Sequence, residues 1–164
     1  MIKLKWHKIK FENGKVKGEI PTTPSVAVAL IDKGEVHIAM DTYLGELRDN
    51  FQFERFPIID ELESFECGGY IFAWADITTF EGNPINFKAF KGIVMTGMGT
   101  YDAPDKIGEY LTIVYSSNKN TQFTMIDKWN GRTFENYEVY NPMNFSSEFP
   151  ETIAWAKVEY PREH

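Results

Sequence analysis

The chain has one cysteine, three histidines and no long apolar run among its 164 residues. The single thiol, Cys67, excludes an intramolecular disulfide framework and every zinc site built from several cysteines. No apolar stretch approaches the length that spans a bilayer, and the N-terminus alternates lysines with apolar residues instead of forming a continuous apolar leader. These features predict a cytoplasmic protein that makes no membrane contact.

Catalytic and cofactor motifs are equally scarce. No serine lies in a Gly-x-Ser-x-Gly pattern. The loop that carries Gly97 and Gly99 could present backbone N–H groups to a phosphate, but it lacks the third glycine and the Lys-Ser/Thr pair of the known phosphate loops. A plain turn is the ordinary interpretation of this loop. The sequence therefore predicts no cofactor and no metal site.

The charge of the chain is unevenly distributed. The net charge is −7, which argues against direct binding of a nucleic-acid backbone. Six lysines nevertheless crowd the first seventeen residues, and an acidic run covers residues 60–66. Each cluster is either a solvated face or a face presented to a partner, and the sequence leaves both interpretations open. The lysines are Lys3, Lys5, Lys8, Lys10, Lys15 and Lys17.

Period-two alternation of apolar residues dominates the chain and predicts a mainly β fold. Residues 26–30 and 36–40 alternate on either side of Asp32-Lys33-Gly34, which predicts a hairpin. Asn13-Gly14 is a second tight-turn signal, because both positions of such a turn need a positive φ. One or two short helices are predicted, over 57–65 and over 104–109. With 43% apolar and 15% aromatic residues, the chain has ample material for a packed core.

A repeated pattern predicts an internal duplication. Ala73-Trp74-Ala75 recurs as Ala154-Trp155-Ala156, and an Asp-x-aromatic-x-Gly pattern begins at both Asp41 and Asp127. We therefore predict two similar antiparallel β modules, 1–82 and 83–164, packed as one compact domain with pseudo-two-fold symmetry.

The order of these motifs resembles a small domain of unknown function that is common in phage and prophage proteins. Such domains begin with a Trp-containing segment and a Pro, continue with a Val-x-Val strand, a Gly turn and a returning strand, and close on a motif of the Trp-Met-Pro-Leu-Pro type. The elements of the first copy are Trp6, Pro21, residues 26–28, residues 34–39 and residues 73–77; those of the second are Pro104, residues 111–114 and residues 153–161. Ala replaces Met after both tryptophans, and the first copy lacks the closing Pro. The resemblance covers nearly the whole chain and implies a viral or mobile-element setting, with no settled activity.

The candidate functional residues follow from the repeat. Asp41 and Asp127 are either turn-initiating residues or a symmetric pair of polar groups beside Tyr43 and Trp129. His37 shares a strand face with Asp41, but residues four apart on a strand are about 13 Å apart, so the two cannot touch directly. Trp74 and Trp155 are predicted to be core residues. Trp6 and Trp129 are predicted to be partly exposed, where an aromatic side chain could stack a base or grip a protein.

Three functions are compatible with this sequence. The first is a non-enzymatic phage or mobile-element protein that binds and inhibits a host protein, such as a component of a defence system. The second is a protein that binds or sequesters a small nucleotide-like ligand between the two modules, through Tyr43, Trp129 and the Gly97–Gly99 loop. The third is a small enzyme built on His37, Asp41 and Asp127. The oligomeric state is left open.

Overall fold

A computed structural model describes most of the chain. The described residues are 1–47, 50–59, 69–81, 87–90, 102–116, 121–135 and 150–163. They contain eleven strands, and Glu135 is the one helical residue among them. The prediction of a mainly β fold is therefore confirmed. The strands are β1 (Lys3–Lys8), β2 (Lys10–Glu12), β3 (Lys15–Lys17), β4 (Ser25–Asp32), β5 (Glu35–Leu47), β6 (Asn50–Phe53), β7 (Tyr70–Glu81), β8 (Lys88–Ala89), β9 (Gly108–Ser116), β10 (Thr121–Trp129) and β11 (Pro150–Ala156).

The two predicted short helices have different outcomes in the structure. Pro57, Ile58 and Ile59 are not helical, and the remainder of the first predicted helix lies outside the described residues. The second prediction is wrong, because residues 105–107 form a bend and β9 begins at Gly108. This strand places Tyr110, Leu111, Thr112 and Val114 in the core, and their burial outweighs the local helical preference of the preceding residues.

The chain divides into two compact units. The N-terminal unit comprises Leu4–Phe80 and Glu159–His164, and the C-terminal unit comprises Met1–Lys3 and Glu81–Val158. Each terminus therefore belongs to the unit formed mainly by the other half of the chain. In the C-terminal unit Ile2 forms a parallel bridge with Val158, and its N–H donates to the carbonyl of Lys157 at 2.8 Å. The predicted joining of the two modules in one symmetric domain stays a prediction.

The N-terminal unit is built on a five-stranded sheet in the order β1-β7-β4-β5-β6. Strand β4 lies at its centre, and six consecutive residues of that strand are buried, so both of its faces are covered. The β4–β5 hairpin turns at Lys33 and Gly34, which both have a positive φ, as the Asp32-Lys33-Gly34 signal predicts. A separate two-stranded ribbon, β2–β3, turns at Asn13 and Gly14, which also both have a positive φ.

The C-terminal unit is built on a four-stranded sheet in the order β10-β9-β11-β8. Strands β9 and β10 form an antiparallel hairpin, β11 pairs with the other side of β9, and β8 pairs with β11. The N-terminal sheet has the same arrangement, because β5-β4-β7-β1 follows the same order of hairpin, third strand and first strand. The two sheets differ by the additional strand β6.

The registers of the two sheets also match around the repeated tryptophans. Trp74 lies opposite Val28, and Trp155 lies opposite Thr112. In both sheets the register shifts two residues before the tryptophan, at positions 72 and 153. The carbonyl at each shifted position accepts a hydrogen bond from the residue that follows the first strand of the sheet, at 2.8 Å from the N–H of Ile9 and at 2.9 Å from that of Phe90. The repeated Ala-Trp-Ala pattern thus marks the same position in both sheets.

Candidate functional site

Asp41 is a buried carboxylate that holds a chain reversal in place. Its Oδ1 accepts hydrogen bonds from the backbone N–H groups of Thr42 and Arg55 at 2.7 and 2.9 Å, and its Oδ2 accepts one from Phe56 at 3.1 Å. The guanidinium of Arg55 donates to the carbonyl of Met40 at 2.8 Å and places a positive charge nearby. Asp41 lies within β5 and ties the open end of the β4–β5 hairpin to the segment after β6. It therefore does not initiate a turn, and its oxygens bind backbone N–H groups instead.

Asp127 occupies the equivalent position of the C-terminal sheet. It is buried and lies opposite Tyr110, as Asp41 lies opposite Val26. Its Oδ1 accepts a hydrogen bond from the N–H of Lys128 at 2.8 Å, in the same way as Asp41 binds the residue that follows it. The match between the two aspartates predicted from sequence is thus a match of position, burial and local hydrogen bonding.

Burial raises the pKa of Asp41 above its ordinary value of 3.8, and the three backbone N–H donors and Arg55 oppose this shift only in part. A folded state that holds the proton more tightly than the unfolded chain is stabilised by protonation. We therefore expect the free energy of unfolding of the wild-type protein, relative to that of Asp41→Asn, to rise as the pH falls through the window between the raised pKa and 3.8. Urea denaturation of both proteins across this range measures the difference. A relative stability that stays constant or falls with decreasing pH would contradict the assignment.

His37 lies beside Glu35, whereas a catalytic pair would need it beside Asp41. Its Nε2 lies 3.6 Å from the Oε2 of Glu35, and its side chain is 38% exposed. Asp41 lies on the same strand, with its oxygens directed at the backbone N–H groups of residues 42, 55 and 56. The structure therefore does not bring His37 and Asp41 together as a hydrogen-bonded pair.

The tryptophans separate into clear classes. Trp74 and Trp155 are buried, which confirms that prediction, and their indole N–H groups donate to the carbonyls of Glu19 at 2.8 Å and Asp102 at 2.6 Å. Trp6 is half-buried, as predicted. The predicted partial exposure of Trp129 is wrong, because only 2% of this residue is exposed.

Trp129 is buried because it ends a strand inside an aromatic cluster. Its ring lies 5.6 Å from that of Phe90 and 5.1 Å from that of Phe134, both in edge-to-face arrangements. The Asn130-Gly131 turn that follows reverses the chain, and Phe134 then forms a bridge with Trp129. A turn beside a tryptophan favours exposure of the indole. Here the chain after the turn places Phe134 against the indole of Trp129.

Tyr43 occupies the position of the N-terminal sheet that Trp129 occupies in the C-terminal sheet. It pairs with Phe53 across β5 and β6, as Trp129 pairs with Phe134. Its ring makes edge-to-face contacts with Phe51 at 6.2 Å and Phe53 at 5.9 Å, and these two rings lie 6.3 Å from each other. Tyr43 is half-buried, and burial with the nearby Glu46 raises the pKa of its hydroxyl.

An apolar pocket opens beside this aromatic triangle, between the β2–β3 ribbon, strand β6 and residues 56–59. Its volume is about 260 Å³. Four phenylalanines and three aliphatic residues form most of its wall, and the amide side chains of Asn50 and Gln52 supply the polar part. The lining residues are Phe11, Val16, Asn50, Phe51, Gln52, Phe53, Phe56, Pro57, Ile58 and Ile59.

The ribbon is fixed to the sheet at the pocket wall. The N–H of Val16 donates to the Oδ1 of Asn50 at 2.7 Å, and β3 contacts β6. Phe11 and Val16 are paired across the ribbon, so both project from the same face of it, and both line the pocket. Phe11 remains 47% exposed, whereas Phe51, Phe53 and Phe56 are buried. Phe11 is therefore the accessible aromatic side chain of the pocket.

The sequence patterns described above do not predict this pocket. The usable signal was the pairing of Phe11 with Val16 across the Asn13-Gly14 turn and the alternation of Phe51 and Phe53. The prediction concerning Gly97 and Gly99 lies outside the described residues. Among the described residues, no group of three or more His, Cys, Asp or Glu side chains could hold a metal ion. No helix in the described ranges is long and apolar enough to cross a membrane.

Comparison with known proteins gives no match. No protein-family model matches the sequence, no curated protein is similar to it, and no solved structure matches the fold.

Proposed function

We propose that this protein is a non-enzymatic accessory protein of a phage or mobile element that binds and inhibits a host protein. The observation that carries the binding part of the proposal is the apolar pocket beside β6, with Phe11 exposed at its wall. Protein interfaces are dominated by a few apolar anchors that enter well-formed pockets. The β2–β3 ribbon, which the Val16–Asn50 hydrogen bond joins to β6, supplies one wall of such a pocket.

The contacts of the candidate polar residues support binding over catalysis. The carboxylate of Asp41 is occupied by three backbone N–H donors, and Asp127 binds the backbone at the equivalent position. A general base needs an oxygen or nitrogen within reach of a substrate proton, and the oxygens of Asp41 are already engaged by the fold. The small-enzyme alternative and the nucleotide-like ligand remain predictions from the sequence.

We also propose that the two units descend from one duplicated module. The support is the common strand order, the equal register around Trp74 and Trp155, and the register shift two residues before each of them. The phage or prophage setting, and a location in the cytoplasm of the host cell, are proposed from the resemblance of the motif order described above.

The proposal predicts that Phe11→Ala impairs partner binding while leaving the fold intact. Phe11 is about half exposed and lies on a two-stranded ribbon, so the loss of its ring should cost little stability. We expect the yield of a partner captured from a bacterial lysate by the tagged protein to fall about tenfold, the effect of a typical interface anchor.

The matched control is Phe123→Ala, because Phe123 is 43% exposed and lies on β10 of the other unit. Its capture yield should equal that of the wild type. The purified partner should then lose activity in proportion to added wild-type protein, and saturate at a fixed stoichiometry. Capture that is equal for both variants, or a partner that is consumed by turnover, would contradict the proposal.

A further inference from the structure

We propose that the pocket beside β6 is a strand-addition site, at which an extended segment of the partner pairs with the outer edge of β6 and places one apolar side chain in the pocket. The outer edge is the side of β6 that faces away from β5. This inference rests on the proposed function and names the form in which the partner is bound. Three observations support it: the direction of the backbone groups of β6, their lack of a partner among the described residues, and the position of the pocket.

The backbone groups of Phe51 and Phe53 point to the outer edge of β6. The N–H of Glu54 donates to the carbonyl of Thr42 at 2.9 Å, so Glu54 faces β5. Consecutive residues of a strand direct their backbone groups to opposite sides, which turns Phe53 outward, Gln52 towards β5 and Phe51 outward again. The register shift in this strand pair comes from an additional residue of β5, so the alternation along β6 is unbroken.

These outward groups form an open edge of the N-terminal sheet. β6 is the last strand in the order of that sheet, and within the described part of the chain no backbone hydrogen bond reaches the outward groups of Phe51 or Phe53. The two residues are nevertheless only 4% and 7% exposed. Buried backbone groups are paired in nearly all native structures, because an unpaired group away from water costs free energy. The two N–H and two C=O groups of this edge therefore match the backbone of an added extended chain.

The pocket lies along the same edge. All four residues of β6, Asn50–Phe53, line it. Side chains of consecutive strand residues point to opposite faces of a sheet, so a pocket that reaches all four lies at the edge of the strand and not above one face. Its volume of about 260 Å³ lies below the roughly 300–1,000 Å³ of pockets that hold drug-sized molecules. This space fits one apolar side chain of an added strand better than a whole ligand.

The β2–β3 ribbon favours a single segment over a second copy of this protein. The N–H of Val16 points from β3 to the Oδ1 of Asn50, so β3 and β6 are joined by a side chain instead of a ladder. A second copy would have to bring its own sheet past the ribbon, and the phenylalanines of its β6 are buried in its own core. No charged residue lines the pocket. We therefore expect backbone hydrogen bonds and one apolar side chain, rather than charge, to select the segment.

An N-methyl scan of a bound peptide tests this inference. A random library of short linear peptides is displayed and selected on the immobilised full chain, and an enriched peptide is synthesised with each backbone nitrogen methylated in turn. Methylation removes one N–H donor. We expect the affinity to fall about tenfold at alternate positions, whose N–H groups would pair with β6, and to change little at the positions between them.

Amide hydrogen exchange, followed by nuclear magnetic resonance, gives the corresponding measurement on the protein. In the free protein the N–H groups of Phe51 and Phe53 should exchange faster than that of Gln52, which faces β5. A saturating amount of the peptide should slow the exchange of Phe51 and Phe53 about tenfold. Gln52 is the matched control within the same strand, and its exchange should not change.

Three results would show that the inference is wrong: no enriched peptide, equal effects of methylation at successive positions, or exchange of Phe51 and Phe53 that is as slow as that of Gln52 in the free protein. The proposed function survives each of them as long as Phe11→Ala still loses capture of the partner, because a folded surface could enter the same pocket. If Phe11→Ala captures the partner as the wild type does, the pocket is not the binding site and both proposals fail.

Discussion

Replacing Trp74 with alanine should lower the free energy of unfolding by about 3–5 kcal/mol, the usual cost of removing a buried indole from a core. Trp74 lies in the N-terminal core with Val28 and Ile71, and His7 stacks on its ring at a centroid distance of 4.4 Å. Its indole N–H donates to the carbonyl of Glu19, so the alanine variant also leaves that carbonyl without its partner. Urea denaturation followed by circular dichroism measures the loss.

The same substitution at Trp155 should have an effect of similar size, because this residue is placed equivalently. Its indole N–H donates to Asp102, its ring contacts Tyr110 at 5.2 Å, and the ammonium of Lys88 lies 5.3 Å from the ring centroid. Phenylalanine at either position retains most of the apolar volume, so Trp74→Phe and Trp155→Phe should lose less than the alanine variants. A change of less than about 1 kcal/mol for either alanine variant would contradict the buried position, since surface substitutions fall in that range.

Replacing Trp129 with alanine should also destabilise the protein by about 3–5 kcal/mol. The indole is enclosed by Phe90 and Phe134, and Phe134 is fully buried. Phe90 and Phe134 already contact each other at 5.2 Å, so the cavity left beside them could close only by moving β8 or the chain after β10.

Phe123→Ala on the same strand is the control for this prediction, because its ring is 43% exposed. We expect its free energy of unfolding to stay within about 1 kcal/mol of the wild-type value, as is usual for exposed positions. If Trp129→Ala were as stable as Phe123→Ala, the aromatic cluster of the C-terminal unit would not be the core of that unit.

Much of the fold could be predicted from local patterns. Alternation and turn residues identified the β4–β5 hairpin and the β2–β3 ribbon, since Lys33-Gly34 and Asn13-Gly14 adopt the positive φ values that such turns require. The repeated Ala-Trp-Ala pattern identified the two central tryptophans as core residues. These predictions succeeded because the information lies within a few residues of each element.

The remaining features depend on contacts between distant segments. Met1–Lys3 belongs to the C-terminal unit and Glu159–His164 to the N-terminal unit, and no local sequence pattern predicts this assignment. The burial of Trp129 depends on Phe90, which lies thirty-nine positions earlier in the chain. The pocket depends on the hydrogen bond between Val16 and Asn50, which joins residues thirty-four positions apart.

The candidate site likewise has one feature that a local pattern predicts and others that depend on distant contacts. The sequence correctly paired Asp41 with Asp127, because both lie in the same short pattern. It could not show that the oxygens of Asp41 bind Arg55 and Phe56, since those donors follow a separate strand. A buried aspartate that binds backbone N–H groups and an aspartate at a binding surface have the same local sequence, and they differ only in the partners that the fold supplies.

Hydrogen exchange of the four indole N–H groups, followed by nuclear magnetic resonance, tests most directly whether the two units share one plan around their tryptophans. Substituting each tryptophan in turn with phenylalanine assigns the four signals. The hydrogen bonds to Glu19 and Asp102 predict slow exchange for both Trp74 and Trp155, and the longer contact of Trp6 with Glu159, at 3.4 Å, predicts faster exchange. If Trp74 or Trp155 exchanged as fast as Trp6, the indoles would not occupy equivalent buried positions, and the shared plan would be wrong.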